Sequence, residues 1–187
     1  MDRERGFIWT ISQSMLDELL LEARTAPRLR AIRRLHGGDW EHAHRMLNAL
    51  VPGTYVRPHY HPDRYQGEGF ILLRGRMALL IFDDQGDVDS GRSRVLRAGV
   101  AGVAGVAGLP GLMDNYCLGI DLPPRVWHGL VALEESVIYE VKGQPVGGYA
   151  QANDKCFAPW APEEGSNEAS DYLRHLESIA RGLESNV

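Results

Sequence analysis

Apolar positions follow two different periods along this chain, and the change comes near Gly53. Ser12 or Ser14 is placed to cap a helix whose Met15, Leu16, Leu19, Leu20 and Ala23 recur at helical spacing, and Pro27 ends it. The following stretch, RLRAIRRLHGG, fits neither period, because Arg28, Arg30, Arg33 and Arg34 interrupt it. Asp39 then predicts the cap of a second helix carrying Trp40, Ala43, Met46, Leu47 and Leu50 on one side, stopped by Pro52 and Gly53.

Beyond Gly53 the runs are short and alternating. They cover 54–61, 69–73, 77–82, 116–122, 127–133 and 136–142, with turn chemistry between them such as Arg74-Gly75 and DDQGD. Many short strands separated by turns predict an antiparallel sandwich or barrel. The tail returns to helix: Ser166 is placed to cap a segment with Ala169, Tyr172, Leu173, Leu176, Ile179, Ala180 and Leu183 along one stripe. The expectation is a single mainly β domain with flanking helices. Residues 1–52 form a helical or extended segment packing on the barrel, 53–145 the barrel itself, and 146–187 a segment ending in a helix.

Composition narrows the partners. The 187 residues are 44% hydrophobic and 24% charged with a formal net charge of -5, an ordinary globular balance with no basic surplus for nucleic acid or an anionic membrane. No stretch approaches the ~20 apolar residues of a membrane helix, and the N-terminus does not read as a secretory signal. Cys117 and Cys156, the only cysteines, read as reduced thiols of a cytoplasmic protein rather than a disulfide framework. Glycines at 99, 102, 105, 108 and 111 repeat every third residue. Without a proline-rich background they cannot build a collagen helix, and the phosphate-loop Lys-Ser/Thr is missing. The segment 98–114 reads as a loop inserted between strands.

The candidate chemistry lies in YVRPHYHPDRYQGEGFILLRG, residues 55–75. On a strand, residues i and i+2 share a face roughly 6–7 Å apart, so His59 and His61 present two imidazoles to one side. Glu68 has the parity of Phe70 and Leu72. If its strand pairs antiparallel to the first, its carboxylate faces the two rings. His128 follows the Pro-rich turn in DLPPRVWHGL. Three neutral imidazoles and a carboxylate suit Fe, Zn, Mn, Ni or Co as the divalent ion. His36, His42, His44 and His175 receive no role; His42 and His44, two apart on a predicted helix, do not face each other. Arg57 has the parity of His59 and His61. Three readings stay open for it: pairing with Glu140, which shares a face with Lys142 opposite Tyr139 and Val141; clamping a carboxylate or phosphate of a ligand; or being turned outward by a bulge near Pro58. Glu140 and Lys142 are the companion candidates for substrate binding.

At these residues the chain resembles the cupin superfamily. GTYVRPHYHPDRYQGEGFILLRG is similar to the first cupin motif, through Gly53, His59, His61, Glu68 and Gly75, and PPRVWH is similar to the second, through Pro123 and His128. RRLH, YVRPHYHP, IYEVKGQP and FAPWAPEE further resemble the WbuC family of cupin-fold metalloproteins. Three departures stand out: six residues separate His61 from Glu68 where cupins usually have three or four, Arg125 stands in place of a glycine, and Ala132 in place of an asparagine. The resemblance implies a jelly-roll β-barrel with one metal near its mouth, held by His59, His61, His128 and Glu68. It also implies a small-molecule ligand such as an anionic sugar, a homodimer, and a setting in surface-polysaccharide (O-antigen, lipopolysaccharide) metabolism. Two classes of function follow. One is a metalloenzyme, with isomerase, epimerase or lyase chemistry, or with oxygenase chemistry at a three-histidine iron. The other is a binding or regulatory module whose metal anchors a ligand. An open site beside a cavity would favour the first.

Overall fold

The computed structural model describes residues 8–99 and 117–185. All of the expected inserted loop except Ala98 and Gly99 lies outside the described residues, as does Tyr116. The Ser12 hydroxyl accepts from the Met15 amide at 3.3 Å, and helix α1 (Gln13–Thr25) starts there as predicted. The ambiguous arginine-rich stretch becomes strand β1 (Arg30–Arg34). Strands β2 (Ala43–Leu50), β3 (His59–Tyr60), β4 (Glu68–Arg74), β5 (Arg76–Ile81), β6 (Arg94–Arg97), β7 (Gly119–Leu122), β8 (His128–Ala132) and β9 (Ser136–Gly143) follow. A short helix α2 (Gln151–Asp154), strand β10 (Cys156–Phe157) and the long helix α3 (Asn167–Ser185) complete the order.

The strands form two antiparallel sheets, β1-β2-β9-β4-β7 and β10-β3-β8-β5-β6. Within them β2 pairs with β9, β3 with β8, β4 with β7 and β5 with β6. That is one long hairpin, β2 to β5 running out and β6 to β9 running back, rolled up so that β9 also meets β4 and β8 also meets β5. Such a rolled hairpin is a jelly roll. The mainly β, antiparallel expectation is borne out, with two facing sheets in place of one closed barrel among the described residues.

Three apolar layers hold the roll. Phe70, Leu72, Met77, Leu79, Leu96 and Ile138 fill the space between the sheets. On one outer face Leu16, Leu19, Leu20 and Ala23 of α1 pack on Leu47, Ala49 and Val137. On the other, Leu176 and Ala180 of α3 pack on Ala78, Leu80, Phe82 and Val131. Each fully buried leucine contributes on the order of 1.5–3 kcal/mol. Helix α3 starts at Asn167, where Ser166 predicts it, but the buried Ser166 hydroxyl makes no hydrogen bond and so caps nothing.

Two expectations are corrected here. The second helix, capped by Asp39, does not exist: residues 43–50 are β2. That strand is covered on both sides, by α1 over Leu47 and Ala49 and by the core beside Leu50. Burial of both faces removes the alternation that marks a half-buried strand, and Trp40, Ala43, Met46, Leu47 and Leu50 match helical spacing by coincidence. The strand expected over 54–61 shrinks to β3, because Pro58 and Pro62 on either side have no amide hydrogen to give a ladder.

Gly75 turns the hairpin between β4 and β5 at φ +83, and a side chain there would run into the Glu135 carbonyl oxygen. Gly75→Ala should therefore destabilise the protein by more than about 1 kcal/mol, the reverse of the usual gain from glycine replacement. Urea unfolding of the variant checks this; unchanged stability would mean that the hairpin relaxes freely.

Candidate metal centre

His59 and His128 are direct cross-strand partners, one on β3 and one on β8. His61 follows β3 by one residue, and its ring centre lies 5.3 Å from that of His59. All three are at least 94% buried, and their ligand-capable atoms lie within 4.8 Å of one another, a group able to hold a metal ion. The alternation that predicts His59 and His61 on one side holds.

Each ring is oriented through the nitrogen that faces away from the cluster. His59 Nδ1 meets the Arg57 carbonyl at 2.9 Å, His128 Nδ1 the Val126 carbonyl at 2.8 Å, and His61 Nδ1 the Asp154 carbonyl at 2.5 Å. A carbonyl only accepts, so each Nδ1 carries the hydrogen and each neutral ring turns the lone pair of Nε2 inward. Burial, and then the neighbouring His128, pushes His59 well below the usual histidine range, which keeps that ring neutral.

Glu68 reaches this cluster from the opposite sheet. Strand β4 pairs with β9 and β7, not with β3, so the expected side-by-side pairing is corrected: the carboxylate faces the rings across the interior. Its Oε2 lies 3.1 Å from His128 Nε2 and 3.4 Å from His61 Nε2. With the Nδ1 hydrogens committed to carbonyls, two nitrogen lone pairs and a carboxylate oxygen point at one another. The buried His61 Nε2 and Glu68 Oε2 have no hydrogen-bond partner. A cation between them satisfies all of these atoms, so the residues present fit a divalent transition metal.

The cluster opens onto a cavity of about 350 Å³ whose walls include His59, His128 and Glu68, the apolar Leu50, Val56, Leu130 and Ile138, and the cations Lys142 and Lys155. Glu140 and Lys142 lie on the inward face of β9, as their parity predicts, while Tyr139 packs toward α1. Glu140 accepts from Asn48 Nδ2 at 2.5 Å. Burial, and then the charge of Glu68, raises Glu140 well above the usual carboxyl range. Lys142 Nζ lies 2.5 Å from Asp154 Oδ1. Burial opposes its charge, yet Asp154, Glu140 and Glu68 together raise it above the usual lysine value.

Arg57 is placed elsewhere. Its guanidinium donates to the Ala158 carbonyl at 3.1 Å, approaches Glu163 at 3.9 Å and lies over the Phe157 ring at 5.2 Å. The pairing with Glu140 does not form. Residues 54–58 are not in a strand, so the alternation valid at His59 does not extend back to Arg57. Sequence reasoning missed Asp154, Asn48 and Lys155. Asp154 and Lys155 lie in a segment without periodicity, and Asn48 was assigned to a helix; its even-number phase with Met46 was the available signal.

The motif position where Arg125 replaces glycine keeps a glycine-like backbone, with φ at +66. The Arg125 amide donates to the His61 carbonyl at 3.0 Å, and its Nε donates to the Pro62 carbonyl at 2.9 Å. These bonds tie the turn before His128 to the strand end carrying His61, and they offset the cost of a left-handed non-glycine residue. Among the described residues, no helix is long and apolar enough to cross a membrane.

A domain of unknown function (DUF6016) matches residues 11–93, which is less than half of the chain. No curated protein matches. Among solved structures, the chain is similar to a salicylate 1,2-dioxygenase from Pseudaminobacter salicylatoxidans at 16% identity and a TM-score of 0.46, covering 71% of this chain and 34% of that one. It is similar to an oxalate oxidase in complex with glycolate at 18% identity and a TM-score of 0.45, covering 87% and 74%. A conserved protein of unknown function from Streptococcus pyogenes matches at 15% identity and a TM-score of 0.43, covering 64% and 78%. The chain thus spans about a third of the dioxygenase and most of the other two.

Proposed function

We propose that the protein is a metal-dependent enzyme of the cupin type that acts on a small anionic, sugar-like substrate. One observation carries this reading: three buried imidazoles, each locked through Nδ1 to a backbone carbonyl, cluster their ligand-capable atoms within 4.8 Å of one another beside a cavity, with His61 and His128 turning Nε2 toward the Glu68 carboxylate. His59, His61 and His128 would hold the ion, with Glu68 as fourth ligand. When bound, the ion supplies a Lewis acid that polarises a carbonyl or hydroxyl oxygen. Lys142 would hold an anionic group of the substrate; its ammonium has three donors, and Asp154 Oδ1 takes one of them. Glu140 and Asn48 would orient substrate hydroxyls from the same wall. Leu50, Val56, Leu130 and Ile138 exclude water from the reacting end. The adjoining cavity favours catalysis over a purely structural metal. The WbuC resemblance supports surface-polysaccharide metabolism as the setting, in a cytoplasmic homodimer.

The test is elemental analysis of protein purified without chelator, followed by reconstitution. About one transition metal per chain is expected, and none after reconstitution would overturn the reading. Glu68→Gln separates two roles for the carboxylate. Direct ligation predicts a loss of metal affinity beyond the about 10–100-fold that outer partners give; a loss within that range makes Glu68 a supporting residue.

A further inference from the structure

A second, outer cavity of about 710 Å³ adjoins the first and shares Asn48, Glu140, Lys142 and Lys155 with it as common walls. Its far wall carries His36, His44 and Tyr149. His44 lies on β2 in phase with Met46 and Asn48, directly across from Lys142 of β9. This is the inward face of the sheet, and the ring is 97% buried. The sequence reading gave His44 no role because it placed the residue on a helix.

The environment of His44 is specific. The ring stacks on His36 with centres 4.4 Å apart and planes within 5° of parallel, and Tyr149 abuts it at 5.3 Å. One ring nitrogen donates to the backbone of Asp39. The other, Nε2, is buried and has no hydrogen-bond partner. Burial and the neighbouring His36 lower His44 from the ordinary histidine value, so the ring stays neutral. A neutral imidazole whose Nδ1 holds the hydrogen presents Nε2 as an acceptor. A buried acceptor without a donor costs about 1–3 kcal/mol, and a ligand hydroxyl removes that cost.

We infer that the outer cavity is a second binding subsite, in which His44 Nε2 accepts a hydrogen bond from a hydroxyl of a polyhydroxylated anion whose charged end lies at Lys142. This rests on the proposed function for the inner end alone. It names the substrate class as an acid carrying a hydroxylated body that reaches from the inner cavity into the outer one. His44 is a specificity residue here, distant from the reacting atoms.

D-glucuronate and acetate are the probes, followed by the side-chain NMR signals of His44 and by calorimetry. Both are titrated into wild type and His44→Phe, each metal-loaded and metal-stripped. Glucuronate should bind wild type more tightly than acetate and shift the His44 ring signals. In His44→Phe that preference should fall about 3–10-fold, the range of one hydrogen bond, with acetate binding unchanged. His44→Gln, which restores an acceptor, should recover part of it and serves if the phenylalanine variant folds poorly. Equal affinity for the two acids in wild type, or an undiminished preference in both variants, overturns the subsite. The preference is read with and without metal, so failure to bind metal defeats the proposed function while leaving the His44 result interpretable.

Discussion

Alanine at position 128 should lower affinity for a divalent transition metal by more than about 100-fold. Removal of an outer hydrogen-bond partner already costs about 10–100-fold, and in the proposed centre His128 would ligate the ion directly. The substitution removes one of three Nε2 lone pairs and leaves a void beside Glu68 Oε2 in place of a side chain that is only 4% exposed. His59 and His61 keep their carbonyl tethers to Arg57 and Asp154, so the remaining rings stay oriented. Competition with a chromophoric chelator measures the loss, and the thermal midpoint of metal-free protein controls for folding. A variant that binds metal as wild type does would remove His128 from the ligand set.

Replacing Lys142 with methionine should cost up to about 3–5 kcal/mol of stability, because it leaves the buried Asp154 carboxylate with only the more distant Lys155 ammonium, at 3.9 Å, to offset its charge. Both side chains are 8% exposed and the ion pair spans 2.5 Å. Pairing the change with Asp154→Leu removes that charge, and most of the loss should return. Urea unfolding of the two variants is the measurement. If the single and double variants lose equally, the damage comes from packing and not from the carboxylate left behind. The Asp154 carbonyl also orients His61, so metal binding in the double variant reports whether that backbone tether survives.

The histidine pair was legible because period-two alternation is a local property: His59 and His61 share a side whatever the rest of the chain does. His128 was legible through its motif. The route of Glu68 was not, since the side of the roll on which β4 falls depends on pairings with β9 and β7, distant in sequence. Strand β2 was misread for a related reason. Its second buried face exists only because α1 packs on Leu47 and Ala49, a tertiary fact that erases the local pattern. The same error hid His44 and Asn48, whose common face follows at once from a strand. Asp154 sits in α2 with no periodic company, and its meeting with Lys142 is fixed by tertiary structure alone.

The rolled hairpin also governs how the chain reaches its native state. Asn48 of β2 lies opposite Ile138 of β9, while Met77 and Leu96 meet near the hairpin's closed end. Most of the ladder therefore joins residues far apart in sequence, and the loop-closure entropy comes due before those contacts form. A topology of this kind folds on the ms–s scale of all-β domains, not the μs scale of helical bundles. His59 and His128 belong to opposite arms of the hairpin and become neighbours only when the arms have zipped to β3 and β8. The three-histidine cluster is accordingly a late product of folding, and the unfinished roll exposes the unpaired edges of its inner strands to other chains until it closes.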